Sequence, residues 1–190
     1  VSVYGLIDLS YGKSILDDMN GDKSDFHSGG DNGNSNGNST TRFGIKGSTE
    51  VAKGVKANFA LESGGISLDG NVQGGGPFFA RQAWAGISSD IGEFRLGRQD
   101  TVPFLTMIEY DFNGASNGIS AGGWTGAGPW FADSTGSAGR NERNLQYISP
   151  SIGGAVFHLG YEPKGNRGAG AKDVLAGAVK YAAGPMSVAA

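Results

Sequence analysis

Residues 1–11 read VSVYGLIDLSY and alternate between mainly apolar and mainly polar side chains. Its odd positions carry mainly apolar side chains such as Val3 and Ile7, whereas its even positions include Ser2 and Asp8. A repeat of two predicts a β-strand with one apolar face and one polar face. The fold therefore depends on whether later segments repeat this alternation and on where their charges lie.

Later segments do repeat it, and they place charges in the middle of the polar face. Phe43 and Ile45 alternate with Arg42 and Lys46, and the stretches 55–62 and 156–162 alternate in the same way. A soluble sandwich also alternates, but mid-strand charges are typical of a barrel that faces lipid outside and a watery lumen inside. The sequence predicts an all-β fold, a transmembrane antiparallel β-barrel.

Composition narrows the class of protein. At 190 residues one domain is expected, and a formal net charge of −3 gives no reason to predict a nucleic-acid partner. The 35 glycines and the absence of cysteine fit an outer-membrane barrel, and they also fit β-solenoids and fibre proteins. The sequence contains no run of about twenty apolar residues, so it predicts no transmembrane helix. No basic-then-apolar leader is present, so we expect any secretory signal peptide to have been removed.

The predicted connections alternate between short and long. Tight turns at one end and long loops at the other are typical of transmembrane barrels, whereas a Greek-key sandwich has no reason for this asymmetry. The long connections are 13–40, 65–77, 100–142 and 163–171. The predicted strands are 1–12, 41–50, 54–64, 78–89, 93–99, 143–150, 154–162, 172–183 and one from 186.

The first long loop contains a pattern that imitates a calcium loop. Asp18, Asn20 and Asp22 match its start, but Lys23 and Gly29 stand where glycine and a bidentate glutamate are needed. We therefore predict a solvated polar loop and no metal site.

The loop 100–142 is too long and too apolar to lie in water. Loops of this length in a compact domain are usually functional or disordered, and its apolar surface should pack against something. It folds inward against the barrel wall or covers a partner surface. Its large apolar residues are Phe104, Leu105, Met107, Ile108, Tyr110, Phe112, Trp124, Trp130 and Phe131.

Several segments, taken in order, resemble a known family. These are VYGLID at 3–8, RFGIKG at 42–47, KANFALESG at 56–64, RQAWAGI at 81–87 and GEFRLGRQ at 92–99, with YISP at 147–150. Together they resemble the general, non-specific porins of Gram-negative outer membranes, most closely the beta-proteobacterial type. The resemblance covers nearly the whole chain.

This resemblance implies a homotrimer of sixteen-stranded barrels in contact with the lipid and lipopolysaccharide of the outer membrane. About nine strands are present, so we expect residues 1–190 to be the N-terminal part of one porin barrel domain. A self-closing eight-stranded barrel is the alternative, but such a barrel has no open channel. Residues 100–142 would be the constriction loop within the domain.

Parity and the resemblance together predict a pore constriction. Parity places Arg42, Lys46 and Arg81 in the lumen, with Glu62 opposite in sign, and the resemblance implies that basic wall residues face an acidic loop. For the third wall arginine, the matching inward position is Gln146, and we favour Arg143 over Arg140. The expected acidic side is Glu62, Glu109 and Asp111. Small hydrophilic solutes and anions are the expected cargo, with a modest preference for anions.

Other classes of protein remain as alternatives. His27 and His158 are the only histidines, and without cysteine or Gly-x-Ser-x-Gly no zinc cluster or nucleophile elbow can be drawn. We predict neither an enzyme nor a cofactor. The competing hypotheses are a non-channel outer-membrane barrel (an adhesin or structural protein acting through its long loops) and a soluble β-solenoid or sandwich.

Overall fold

A nine-stranded antiparallel sheet forms the main body of the protein, and its strand order follows the chain. The computed structural model describes residues 1–12, 24–29, 38–72, 77–111, 139–164 and 172–190. The sheet consists of β1 (Ser2–Leu6), β4 (Arg42–Ala52), β5 (Val55–Gly64), β6 (Gln82–Ser89), β7 (Gly92–Asp100), β8 (Arg140–Ile148), β9 (Ala155–Glu162), β10 (Val174–Ala183) and β11 (Met186–Ala189). A separate hairpin pairs β2 (Leu9–Gly12) with β3 (Asp25–Ser28), and α1 spans Val102–Glu109.

The two faces of the sheet differ in chemistry, as the alternation predicted. Within the described ranges, the buried apolar residues are Ala60 and Val102, whereas buried polar residues include Glu62 and Gln146. Large apolar side chains are instead exposed on the opposite face, among them Leu96 at 59%. This burial pattern is the reverse of that of a soluble domain and suits a surrounding lipid phase. The apolar face carries Phe43, Ile45, Phe59, Leu61, Phe94, Leu96, Phe157 and Leu159, as predicted.

The first predicted strand is interrupted at Asp8. The Asp8 side chain accepts a hydrogen bond from the backbone N–H of Ser39 at 2.5 Å, and its carbonyl accepts from the N–H of Gly29 at 3.0 Å. These bonds divert the chain away from the main sheet and into the β2–β3 hairpin. The prediction of one strand over 1–12 and of a loop over 13–40 was therefore wrong at this point, because side-chain-to-backbone bonds compete with sheet pairing.

His27 lies in this hairpin and is buried. Its Nε2 is 3.0 Å from the carbonyl oxygen of Gly12, and the hydroxyl of the neighbouring Ser28 donates to the carbonyl of Ile66 at 2.8 Å. Tyr11 and Phe26 of the hairpin are exposed, and the centres of their rings lie 4.9 Å apart. Residues 25–28 of the first predicted loop are thus paired β-structure, with His27 and Ser28 buried.

The strand connections show the predicted asymmetry. Two-residue turns join β4 to β5 at 53–54, β6 to β7 at 90–91 and β10 to β11 at 184–185. The connections at the opposite end are longer, and the one between β7 and β8 contains α1. Charged residues near this end of the strands therefore lie close to the long loops.

Helix α1 packs against β9 and β10. Thr101 caps the N-terminus of the helix, since its hydroxyl accepts a hydrogen bond from the N–H of Phe104 at 3.4 Å. A proline follows in the first turn. Val102 is buried above Gly160, which has no side chain to hold it away. In the described ranges, α1 is neither long nor apolar enough to cross a membrane.

Candidate functional site: the charged face of the sheet

The best-formed group of charged residues surrounds Glu62 on β5. Its carboxylate accepts from the Tyr4 hydroxyl at 2.8 Å and from Nε of Arg81 at 2.5 Å. The Glu62 side chain is only 6% exposed. The two hydrogen bonds to one carboxylate keep both donors in fixed positions. We call Tyr4, Arg42, Lys46, Glu62 and Arg81 the wall cluster.

Arg81 reaches Glu62 from a bend just before β6. Its backbone N–H donates to the Glu62 carbonyl at 3.1 Å, which anchors the bend to β5. The side chain then crosses Gly64, where a Cβ atom would lie 2.2 Å from Cδ of Arg81. The missing side chain at Gly64 therefore provides the path that joins the two charges.

Arg42 and Lys46 are held by neutral groups. Nη1 of Arg42 donates to the Ser39 hydroxyl at 3.0 Å and to the Thr40 carbonyl at 2.9 Å. Nζ of Lys46 lies 5.1 Å from the centre of the Tyr4 ring. These partners carry no net charge, so among the described residues neither cation is neutralised by an ion pair.

The structure places Glu109 elsewhere, at the end of α1. Its carboxylate pairs with Nζ of Lys180 on β10, and the Tyr110 hydroxyl lies 2.7 Å from that of Ser187 on β11. Asp111 follows directly. Because β6 to β9 lie between β5 and β10, the structure does not bring Glu109 to the wall cluster. We call Gly160, Lys180 and Ser187 the helix seat.

The sequence prediction favoured Arg143 over Arg140 as the third wall arginine, and the structure places the two residues in different surroundings. Arg143 is exposed and lies at an irregularity between β7 and β8, with a φ of 54°. Arg140 instead pairs with Asp100 at 2.8 Å and lies 5.6 Å from the Phe104 ring. Arg140, not Arg143, thus contacts helix α1. Counting alternate residues back from Gln146 did not place either arginine, because the backbone of β8 is irregular at Arg143.

Parity counted from Arg81, which is predicted in the lumen, places Trp84 on the apolar face, and the structure corrects this. Strand β6 begins at Gln82, so Arg81 precedes it and parity counted from Arg81 fails. Trp84 lies directly across from Ala60 on the polar face, and its indole N–H donates to Gln82 at 2.9 Å. The alternation of Gln82 and Ser88 against Ala83 and Ile87 would have given this orientation.

A second group of polar residues lies beneath α1 and was not predicted as a unit. The amide of Gln146 donates to the Asp100 carbonyl at 2.6 Å, and its oxygen is 2.9 Å from Nε2 of His158. Asn144 donates to the buried Glu162 at 3.4 Å. These bonds satisfy polar groups beneath the helix, and their signal in sequence is only the polar parity of β8 and β9.

No metal site emerges in the part of the chain that the structure describes, where no group of three acidic or histidine side chains converges. The calcium-like positions Asp18, Asn20, Asp22 and Lys23 lie outside the described residues.

The chain matches the Gram-negative porin family over residues 1–190. It belongs to that family. An outer membrane porin protein of Bordetella pertussis is 33% identical over 87% of this chain, and outer membrane porin protein 32 of Delftia acidovorans is 30% identical over 80% of it. The chain spans 43% of the length of each of these relatives.

Solved structures agree with the fold. The anion-selective porin from Comamonas acidovorans superposes with a TM-score of 0.76 at 26% identity, covering 99% of this chain and 55% of that one. Salmonella typhi OmpF, solved with daunomycin, gives 0.61 at 17% identity over 99% and 52% and supports the fold alone.

Three predictions are thereby confirmed. The chain has the transmembrane β-barrel fold of an outer-membrane porin, its location is the outer membrane, and its family consists of channel proteins and not enzymes. The sheet is not closed by the described strands, whose edges are β1 and β11.

Proposed function

We propose that the full-length protein forms a water-filled channel for passive diffusion of small hydrophilic solutes and ions, with a modest preference for anions. The observation that carries this proposal is the wall cluster. Three positive groups, Arg42, Lys46 and Arg81, share the polar face with one carboxylate, Glu62. Fixed charges that line a narrow pore determine which ions enter it.

The pairing of charges elsewhere on the polar face also supports a preference for anions. Asp100 is paired with Arg140, Glu93 with Arg95 at 2.7 Å, and Glu109 with Lys180. Each pair is close to neutral at a distance, which leaves Arg42 and Lys46 as the cations of the wall cluster with neutral partners. One relative in the solved structures is itself described as anion-selective.

The remaining parts of the proposal concern assembly and the loop. We propose a homotrimer whose apolar face contacts lipid, lipopolysaccharide and neighbouring subunits. Residues 100–142 would act as the constriction loop, with Glu109 and Asp111 as its acidic side. The position of α1 on the polar face supports this role, whereas residues 112–138 lie outside the described ranges.

Reversal potentials of the full-length protein in planar bilayers under a KCl gradient test the proposal. We expect chloride to be preferred over potassium, and Arg42→Ala combined with Arg81→Ala to lower the permeability ratio. Lys53→Gln, in the exposed turn between β4 and β5, removes a cation away from the wall cluster and should leave the ratio unchanged. Arg143→Gln should lower it less than Arg42→Gln does.

Two outcomes would contradict the proposal at different levels. A clear cation preference, or a ratio insensitive to the double substitution, would show that the wall cluster does not set selectivity. A correctly inserted barrel without measurable conductance would instead favour the non-channel alternative, in which the long loops bind partners.

A further inference from the structure

A cavity on the polar face adjoins the wall cluster on the side of the short turns. Its floor is Ala60, and the direct neighbours of Ala60 across the sheet are Lys46 on β4 and Trp84 on β6. Because neighbouring strands lie about 4.8 Å apart, the backbones that carry Lys46 and Trp84 lie about 10 Å apart across the sheet. A methyl group between two long side chains leaves a recess in the wall. We call Tyr4, Lys46, Ala60, Trp84 and Arg95 the aromatic pocket.

Aromatic rings hold both cations of this pocket. The Arg95 guanidinium lies 4.4 Å from the centre of the Trp84 ring, and Nζ of Lys46 lies 5.1 Å from that of Tyr4. Trp84 is half-buried and lines the cavity, so part of the indole remains accessible to a solute. Large rings are an unusual lining for a wall that otherwise carries polar groups.

The carboxylates that line the pocket already have donors. Glu93 accepts from Arg95 at 2.7 Å and from the Asn58 amide at 3.2 Å, and Glu62 accepts from Tyr4 and Arg81. Lys46 is exposed, and its ammonium lies over the Tyr4 ring with no ion-pair partner among the described residues. The pocket therefore combines one available cation with apolar ring and methyl surface.

We propose that the aromatic pocket is a subsite for small aromatic carboxylates. The carboxylate would bind Nζ of Lys46, and the ring would lie over Ala60 against Trp84. A simple inorganic anion gains only the charge contact, whereas a neutral ring gains only the apolar contact. This inference rests on the proposed function, because a solute reaches the pocket only through an open channel.

Block of the ion current through the full-length protein in planar bilayers tests the inference, with benzoate, acetate and benzyl alcohol as probes. Benzoate should block at a concentration at least about 5-fold lower than acetate or benzyl alcohol, because it uses both contacts. Trp84→Leu and Lys46→Gln should each raise the blocking concentration of benzoate about 3- to 10-fold. Trp84→Phe should recover part of the loss.

Phe94→Leu provides the matched control, since it removes a ring from the apolar face and should not alter the block. Equal block by benzoate and acetate, or block that is insensitive to Trp84→Leu, would overturn the subsite. The KCl reversal potential is measured in the same membranes, so a conducting, anion-preferring pore without selective benzoate block defeats this inference alone. Absence of conductance defeats the proposed function instead.

Discussion

Two ion pairs on the same face of the sheet have similar chemistry and opposite surroundings. In the wall cluster, the side chains of Arg81 and Glu62 are 19% and 6% exposed. At the helix seat, those of Lys180 and Glu109 are 41% and 43% exposed. The first pair is thus enclosed by neighbouring strands, whereas the second is open to the water of the lumen.

The difference assigns the two pairs different roles. An enclosed pair fixes the shape of the wall, since the loss of one partner leaves the other without solvation. An exposed ion pair contributes at most about 1 kcal/mol to stability, because water and salt screen it. We infer that the wall cluster fixes the positions of the charges on the polar face. The helix seat, through Lys180, mainly determines how much of the Glu109 charge remains unneutralised.

The largest effect is expected from Arg81→Ala. It removes a donor of the nearly buried Glu62 and should lower the free energy of unfolding by about 1–3 kcal/mol. Denaturant titration of the full-length protein in lipid vesicles measures this loss. Adding Glu62→Gln should recover part of it, because a neutral amide needs less solvation. A loss no greater than that of Lys180→Ala would remove the distinction between the two pairs.

A smaller effect is expected from Tyr4→Phe. It deletes the 2.8 Å bond to Glu62 while leaving a ring beneath Lys46, so the free energy of unfolding should fall by about 1 kcal/mol. Tyr147→Phe is the matched control. Its hydroxyl also makes one bond, to the Ile91 carbonyl at 2.7 Å, but this bond lies at the turn between β6 and β7 and involves no buried charge. Equal losses for the two variants would show that Glu62 is better hydrated than its exposure indicates.

The smallest effect on stability is expected at the helix seat. There the two single substitutions should shift ion selectivity in opposite directions. Lys180→Gln should leave the Glu109 charge unpaired and shift the KCl permeability ratio toward cations. Glu109→Gln should shift it toward anions, and each variant should change stability by less than about 1 kcal/mol. The double variant should return close to the original ratio. Shifts of the same sign in both single variants would contradict the pairing.

Much of the fold could be predicted from sequence because a membrane barrel repeats one simple rule. Period-two alternation located the nine strands of the sheet within a few residues, and connection lengths located its two ends. The failures occurred where side chains replaced sheet pairing. Asp8 ends β1 through bonds to backbone groups of residues 29 and 39, and no alternation pattern contains that information.

The candidate site was predictable only in part, for the same reason. Parity assigned Arg42, Lys46 and Glu62 to one face, and they share that face because they lie inside regular strands. It misplaced Trp84, since the count began at Arg81, which precedes β6. It also could not place Arg140 and Arg143, because the ladder between β7 and β8 shifts register after Gly97. The partner of Glu109 is 71 residues away in sequence and required the structure.

Gly160 in the helix seat sets how closely α1 can approach the wall of the proposed channel. A Cβ atom there would lie 3.0 Å from Cγ2 of Val102, so even alanine would lift α1 a few tenths of an ångström off the wall. Larger residues would lift it further toward the pore axis. In the proposed channel, a single substitution on β9 would therefore change how far α1 stands from the wall without adding or removing a charge.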